Sequence, residues 1–199
     1  MRTSSLKKQA ETQLPTDWGN FKLLAYARRS DNPLPHIVLI SEKFSLKNQP
    51  ILVRIHSECM TGDVFHSRRC DCGEQLDIAL EKANEEGGLV IYLRQEGRGI
   101  GLINKIKAYN LQDKGLNTAE ANIHLGFKDD ARSYEDAIFI LKDLGIQNIH
   151  LLTNNPLKVK ALEVGGIAVH ERIPILVDSK KENDFYLRTK RDLMGHLLL

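Results

Sequence analysis

Long apolar runs are missing from this 199-residue chain, and no stretch approaches the length of a membrane span. A membrane role is therefore not expected. Excess charge is missing too: 28 Lys and Arg stand against 26 Asp and Glu, leaving a net +2 and no general attraction for nucleic acid. Any affinity for an anion has to come from basic residues grouped locally. There is no internal repeat and no low-complexity segment, which sets aside repeat and linker architectures. Cysteine is scarce, with Cys59, Cys70 and Cys72 confined to fourteen residues. An odd count excludes complete pairing into disulfides. No signal peptide is read at the start, so a reducing, cytoplasmic setting is expected.

What is present suits a globular fold. Hydrophobic residues make up 42% and charged residues 27%, enough for one well-buried core. Strand-like runs occur at Ile37–Ser41, Ile51–Ile55, Leu89–Arg94, Ile149–Thr153 and Ile167–Val169. Helical patterns fill Gly73–Glu86, Ile100–Asp113, Tyr134–Leu144 and Pro156–Val164, with a last helix beginning near Asn183. Strands alternating with helices predict an α/β fold, a single layered domain with a mixed, partly parallel sheet flanked by helices. The N-terminal third looks more purely β. Residues 1–13 are polar and read as a flexible segment, with one folded domain over 14–199.

Four segments are suited to chemistry. In the first, Arg54, His56 and Glu58 share the strand face opposite Val53 and Ile55, and Cys59 follows at once. Cys70 and Cys72 precede a helix that carries Gln75 in its first turn. Three closely spaced thiols point to zinc. Their spacing fits both an open catalytic site and a closed one with His56 or His66 as the fourth ligand. The second segment, Arg94-Gln-Glu-Gly-Arg-Gly-Ile-Gly101, follows an apolar strand and leads into a helix, where glycines and main-chain N–H groups can approach phosphate. Its glycine spacing matches neither a Walker loop nor a dinucleotide fingerprint. The third, Leu151-Leu-Thr-Asn-Asn-Pro-Leu-Lys158, offers either a second anion-binding helix start or a capped helix with a solvated lysine. In the fourth, Asp130 and Arg132 lie two apart ahead of a helix. Tyr109 sits on an amphipathic helix, as a core tyrosine or a base-stacking one.

Taken together, these segments resemble the GTP cyclohydrolase II family of riboflavin biosynthesis. The matching text is Arg54-Ile-His-Ser-Glu-Cys59, Thr61-Gly-Asp63, Arg69-Cys-Asp-Cys-Gly73, Arg94-Gln-Glu-Gly-Arg98, Ile100-Gly-Leu102 and Asn104-Lys105. It continues through Thr118-x-Glu-Ala-Asn122, Leu125-Gly-Phe127, Leu151-Leu-Thr-Asn-Asn-Pro156 and Met194-Gly-His-Leu197. The match runs from about Leu14 onward, and the order of the motifs makes it specific.

The resemblance implies a catalytic domain over 14–199 that opens the imidazole ring of GTP, releasing formate and pyrophosphate. Cys59, Cys70 and Cys72 would hold one catalytic zinc per subunit, whose water attacks C8 of the guanine. Arg132 would be the nucleophile toward the α-phosphorus with Asp130 as its base, or a fixed cation there. Tyr109 would lie near the base. GTP contacts would come from Arg54, Ile55, His56, Ser57, Glu58, Gln75, Glu96, Gly97, Arg98, Thr118, Thr153 and Lys158. Mg²⁺ would accompany the triphosphate, and the protein would act as a cytoplasmic homodimer. In many relatives a dihydroxybutanone-phosphate synthase half comes first, and a single activity is expected here. Asn117 and Ala131 depart from the commoner family text, Asp and Glu respectively.

Overall fold

The computed structural model describes residues 5–128, 130–192 and 195–197. In chain order its strands and helices begin with β1 (Lys7–Thr16), β2 (Gly19–Ala27), β3 (His36–Ser41), β4 (Ile51–Ser57) and a short α1 (Met60–Asp63). Next come α2 (Cys72–Glu86), β5 (Leu89–Leu93), α3 (Gly101–Gln112) and α4 (Thr118–His124). The chain ends with α5 (Glu135–Asp143), β6 (Asn148–Leu152), α6 (Pro156–Val164), β7 (Ala168–Ile173) and α7 (Asp184–Asp192). It divides into two compact units. The first comprises Met1–His56, Asp77–Arg94 and Tyr134–Ile175; the second comprises Ser57–Leu76, Gln95–Ser133 and Leu176–Leu199.

The first unit carries the seven-stranded sheet, ordered β1-β2-β3-β5-β4-β6-β7. β1 through β3 and β5 pair antiparallel, whereas β4, β6 and β7 pair parallel. The sheet is therefore mixed, as the alternation of strand and helix patterns predicts. Its central strands are the largely apolar runs Ile51–Ile55, interrupted by Arg54, Leu89–Leu93, and Ile149–Leu152, interrupted by His150. They suit positions covered on both faces. Leu89, Ile91, Ile149 and Leu151 are fully buried, and α5 adds Ala137, Ile140 and Leu141 at helical spacing. Full burial of each such Leu or Ile stabilises by roughly 1.5–3 kcal/mol. Tyr26 joins this core, and its hydroxyl donates to Asp143 at 2.7 Å.

One sequence expectation changes. Residues 7–13 of the segment expected to be flexible lie in β1, where Lys7 faces Ala27 and Leu14 faces Phe21. Main-chain pairing with β2 orders a strand whose side chains are mostly exposed, so side-chain polarity concealed it. Arg54 and His56, on the face opposite Val53 and Ile55, are both buried. β4 is buried from Ile51 to His56, with Arg54 Nη1 donating to the Leu152 carbonyl at 3.0 Å.

At the start of α5, Asp136 accepts from both terminal nitrogens of Arg28, at 3.1 and 2.7 Å, and from His36 Nε2 at 2.9 Å. His36 Nδ1 accepts the Arg94 N–H at 3.0 Å, which places the ring hydrogen on Nε2. Burial pushes the Asp136 carboxyl upward, but hydrogen bonds from Arg28 and His36, with the charge of Arg28, outweigh it and hold the pKa below its ordinary 3.8. A depressed carboxyl adds stability above the unfolded pKa and loses it as pH falls. Asp136→Asn should therefore destabilise by about 1 kcal/mol at neutral pH, and the gap should close below about pH 4. Urea unfolding across that range measures it.

Candidate metal centre

In the second unit the three cysteines come together. Cys59 precedes α1, its N–H donating to Asp63 Oδ2 at 2.9 Å, while its carbonyl accepts from the Gly62 and Asp63 N–H groups at 2.9 and 2.7 Å. This tight turn aims the Cys59 sulfur toward Cys70 and Cys72, at the head of α2. The three Sγ atoms lie within 4.8 Å of one another, with Cys59 and Cys70 3.7 Å apart. The backbone leaves room for this trio only because residue 62 is glycine. A Cβ there would stand 2.9 Å from Cys70 Sγ and 3.0 Å from Cys72 Cβ. With Cys59 and Cys70 buried and Cys72 half-buried, the three thiols could hold a thiophilic divalent ion. Among the described residues no histidine joins the group. His66 is exposed on a left-handed turn, and His56 stacks on Tyr92 in the first unit. Among the described residues, the closed four-ligand alternative finds no imidazole.

Electrostatics single out one sulfur. Hydrogen bonds from Cys70 and Cys72, aided by Lys105, pull the Cys59 thiol far below its ordinary value. The same contact pushes Cys70 up to about 11, and Cys72 also rises. Lys105, on α3, places Nζ 3.0 Å from Cys59 Sγ and 2.8 Å from Glu96 Oε1. Burial opposes its charge, but the Cys59 thiolate, Tyr109 and Glu96 outweigh burial and keep it an ammonium. Tyr109, one turn further along α3, has its hydroxyl 3.5 Å from Thr61 Oγ1 and its ring under the Arg69 guanidinium. Burial raises the phenol's pKa, so it stays protonated at neutral pH. Tyr109 is half-buried, as a core tyrosine would be, with its hydroxyl directed at Thr61 of α1.

The glycine turn is a short 3₁₀ segment, Glu96–Gly99, ahead of α3. Gly97 and Arg98 both adopt left-handed backbone (φ 61° and 62°), unusual for arginine and a mark of strain at functional turns. Glu96 is buried and faces inward, accepting from the Met60 and Gly97 N–H groups, each at 2.7 Å, as well as from Lys105. Its carboxylate organises the turn. Arg98 Nη1 is buried with no hydrogen-bond partner among the described residues, and the Arg98 carbonyl accepts the Ala131 N–H at 3.1 Å. Nearby, Asp130 grips Arg132 by Nε, at 2.9 Å, and by Nη2. Burial raises the Asp130 carboxyl, but Arg132 and Arg98 lower it further, leaving an ionised pair. Asn117 supplies a capping box for α4, its Oδ1 accepting from Glu120 N at 3.0 Å while Glu120 Oε2 accepts from Asn117 N at 2.8 Å. The departure to asparagine thus keeps a capping function. Thr118 opens α4. Ser57 Oγ accepts from Gln95, and buried Gln75 donates to Asp71 at 2.6 Å. Glu58 lies half-buried between Ser57 and Cys59.

The remaining expected residues lie in the first unit. Ile55 belongs to its core, which leaves only main-chain atoms for a ligand, and its carbonyl accepts from Lys158 Nζ at 2.6 Å. Lys158 is buried rather than solvated, and its ammonium lies over the Tyr134 ring. Asn155 caps α6 and Asn154 clamps Ile175, so the paired asparagines carry structure; Thr153 Oγ1 accepts from Asn155 N. Of the ending Met194-Gly-His-Leu197, Met194 lies outside the described residues.

Sequence reasoning gave no role to Lys105, Asp71 or Lys190. Asp71 sits between two of the cysteines and forms a buried 2.6 Å pair with Lys190 of α7. Lysines at helical spacing read as solvated, and only burial reveals these two. Among the described residues, no helix is long and apolar enough to cross a membrane.

A mixed α/β sheet accompanied by a three-cysteine group that could hold a metal ion defines the class of the chain. A family model described as GTP cyclohydrolase II matches residues 7–174, and the chain belongs to that family. It is 49% identical over 197 residues to the riboflavin biosynthesis protein RibBA of Bacillus subtilis, a match spanning 98% of this chain and 49% of that protein. RibBA of Chlorobium phaeovibrioides is 50% identical over 200 residues, 100% of this chain and 48% of that one. The chain spans about half the length of the curated relatives it matches. Among solved structures, RibBX, a two-domain 3,4-dihydroxy-2-butanone 4-phosphate synthase from A. baumannii, shares 20% identity over 89% of this chain and 42% of its own. Its TM-score of 0.45 is too low to bear on fold or function.

The Gly62 contacts give a direct test. Gly62→Ala should weaken zinc binding by about tenfold or more, as displaced metal surroundings usually do, with secondary structure retained. Competition against a chromophoric chelator, alongside circular dichroism, measures both.

Proposed function

We propose that this chain opens the imidazole ring of GTP, releasing formate and pyrophosphate to leave 2,5-diamino-6-(5-phosphoribosylamino)pyrimidin-4(3H)-one, the first step of riboflavin biosynthesis. The observation that carries the reading is the clustered trio of buried Cys59 and Cys70 with half-buried Cys72, with no histidine in the group among the described residues, in a chain of the GTP cyclohydrolase II family. These three residues would hold zinc, which supplies Lewis acidity and lowers the pKa of water toward ~7.

The chain's own residues do the rest. Protonated Tyr109 donates to a ring nitrogen as its bond to C8 breaks. Arg132, gripped by Asp130, presents a fixed cation to the α-phosphate. Asp130 touches both Nε and Nη2 and so is placed to take the proton that a nucleophilic guanidinium must lose; the ionised pair is the resting state. The strained Gly97-Arg98 turn contributes a guanidinium, with Nη1 buried, suited to phosphate. Arg54 to Glu58, Gln75, Glu96, Thr118, Thr153 and Lys158 complete the assigned nucleotide contacts, with Ile55 acting through its main chain. Mg²⁺ accompanies the triphosphate. The protein works as a cytoplasmic homodimer, with neither nucleic acid nor membrane as partner.

Two variants test this with zinc, Mg²⁺ and GTP. Cys59→Ser should abolish formate release, and full release from that variant would remove the metal from the reaction. Arg132→Ala should slow pyrophosphate release by about 10²-fold or more while GTP binding changes less than about tenfold. An unchanged rate would deny the guanidinium any chemical part.

A further inference from the structure

Lys105 has no role in the reaction as proposed, yet it is the cation in contact with the metal centre. Its Nζ is buried, 3.0 Å from Cys59 Sγ and 2.8 Å from Glu96 Oε1. Three thiolates around a dication carry one surplus negative charge, and Glu96 adds a second beside it. Such charge, buried without a counter-ion, is costly, and an ammonium touching both anions offsets it.

We propose that Lys105 is a positioning residue of the metal centre, its ammonium fixing Cys59 Sγ for the ion and offsetting the surplus charge of the sulfur trio. Two features support this over a plain ion pair with Glu96. Glu96 already accepts the Met60 and Gly97 N–H groups, so its charge is partly satisfied without lysine. Cys59 is also the sulfur delivered by the short α1 turn, and a bond from α3 ties it to a second element. Lys105 therefore joins a metal ligand, through Glu96, to the Glu96–Gly99 turn assigned to the nucleotide. Outer partners of this kind orient ligands and tune the ion's acidity.

The inference rests on the three cysteines being a metal site, and the test separates the two. Zinc affinity is measured by chelator competition for the wild-type chain, Lys105→Met, the double variant Glu96→Gln/Lys105→Met and Cys70→Ser, with folding followed by near-UV circular dichroism. Lys105→Met should bind zinc about 10- to 100-fold more weakly. The double variant, which leaves no buried carboxylate unpaired, should fold and remain comparably weak. With Co²⁺ in place of zinc, the sulfur-to-metal charge-transfer band should move to lower energy in both, because a thiolate that has lost its hydrogen bond gives up electrons more easily. Wild-type affinity in Lys105→Met would overturn the proposal. So would wild-type affinity in the double variant, which would reduce Lys105 to a counter-ion for Glu96. Wild-type affinity in Cys70→Ser would instead overturn the metal site itself.

Discussion

Three sulfurs packed within 4.8 Å of one another, two of them on buried residues, form an arrangement that could hold a cation. Without one, a single thiolate shares hydrogen bonds from its two neighbours, as Cys59 does. With a thiophilic ion, all three ionise together. Much of the second unit serves this constraint. Gly62 leaves space that a methyl group would fill. Asp63 ties down the Cys59 N–H, Lys105 brings positive charge to its sulfur, and Glu96 holds Lys105 while ordering the following turn. The buried Asp71–Lys190 pair anchors the residue between the other two cysteines to α7, with Lys190 over the Tyr186 ring. A buried pair of this kind is a poor source of net stability but a strict constraint on geometry.

The first unit shows how an ordinary α/β sheet can supply polar groups at its strand ends. β4 is apolar and buried until Arg54 and His56, whose side chains are held by a main-chain carbonyl and by ring stacking. β6 ends at Leu152, and the next three residues each take a fixed task. Thr153 binds the following turn, Asn154 clamps Ile175, and Asn155 caps α6. Lysine at position 158 is then drawn inward to the Ile55 carbonyl. This local economy explains why the segment is so polar in a chain whose core is aliphatic.

The central strands and long helices were legible because their apolar residues repeat with the period of their structure. Leu89–Leu93 and Pro156–Val164 lie where pattern and capping residues place them, within a residue or two. The pairing of β1 was not legible, because main-chain hydrogen bonds carry it and its side chains face water. α4 was overlooked although Asn117 and Glu120 spell a capping box, since the helix is only seven residues long. At the site, cysteine spacing pointed to a metal but left the fourth position open. Gly62 was quoted only as part of the matching Thr61-Gly-Asp63 text, because the requirement for glycine arises from the Cys70 sulfur and the Cys72 Cβ, eight and ten residues downstream. Lys105 and Lys190 were hidden for a related reason. Lysine in a helical pattern looks solvated until its carboxylate and sulfur partners are brought against it in three dimensions.

The open character of the metal centre is tested most directly by X-ray absorption at the zinc edge on the loaded protein. Three sulfur neighbours near 2.3 Å (an approximate value) and one light oxygen neighbour are expected, with no multiple scattering from an imidazole ring. A shell of three sulfurs with a histidine nitrogen, or of four sulfurs supplied by two chains, would contradict a site that holds a place for water.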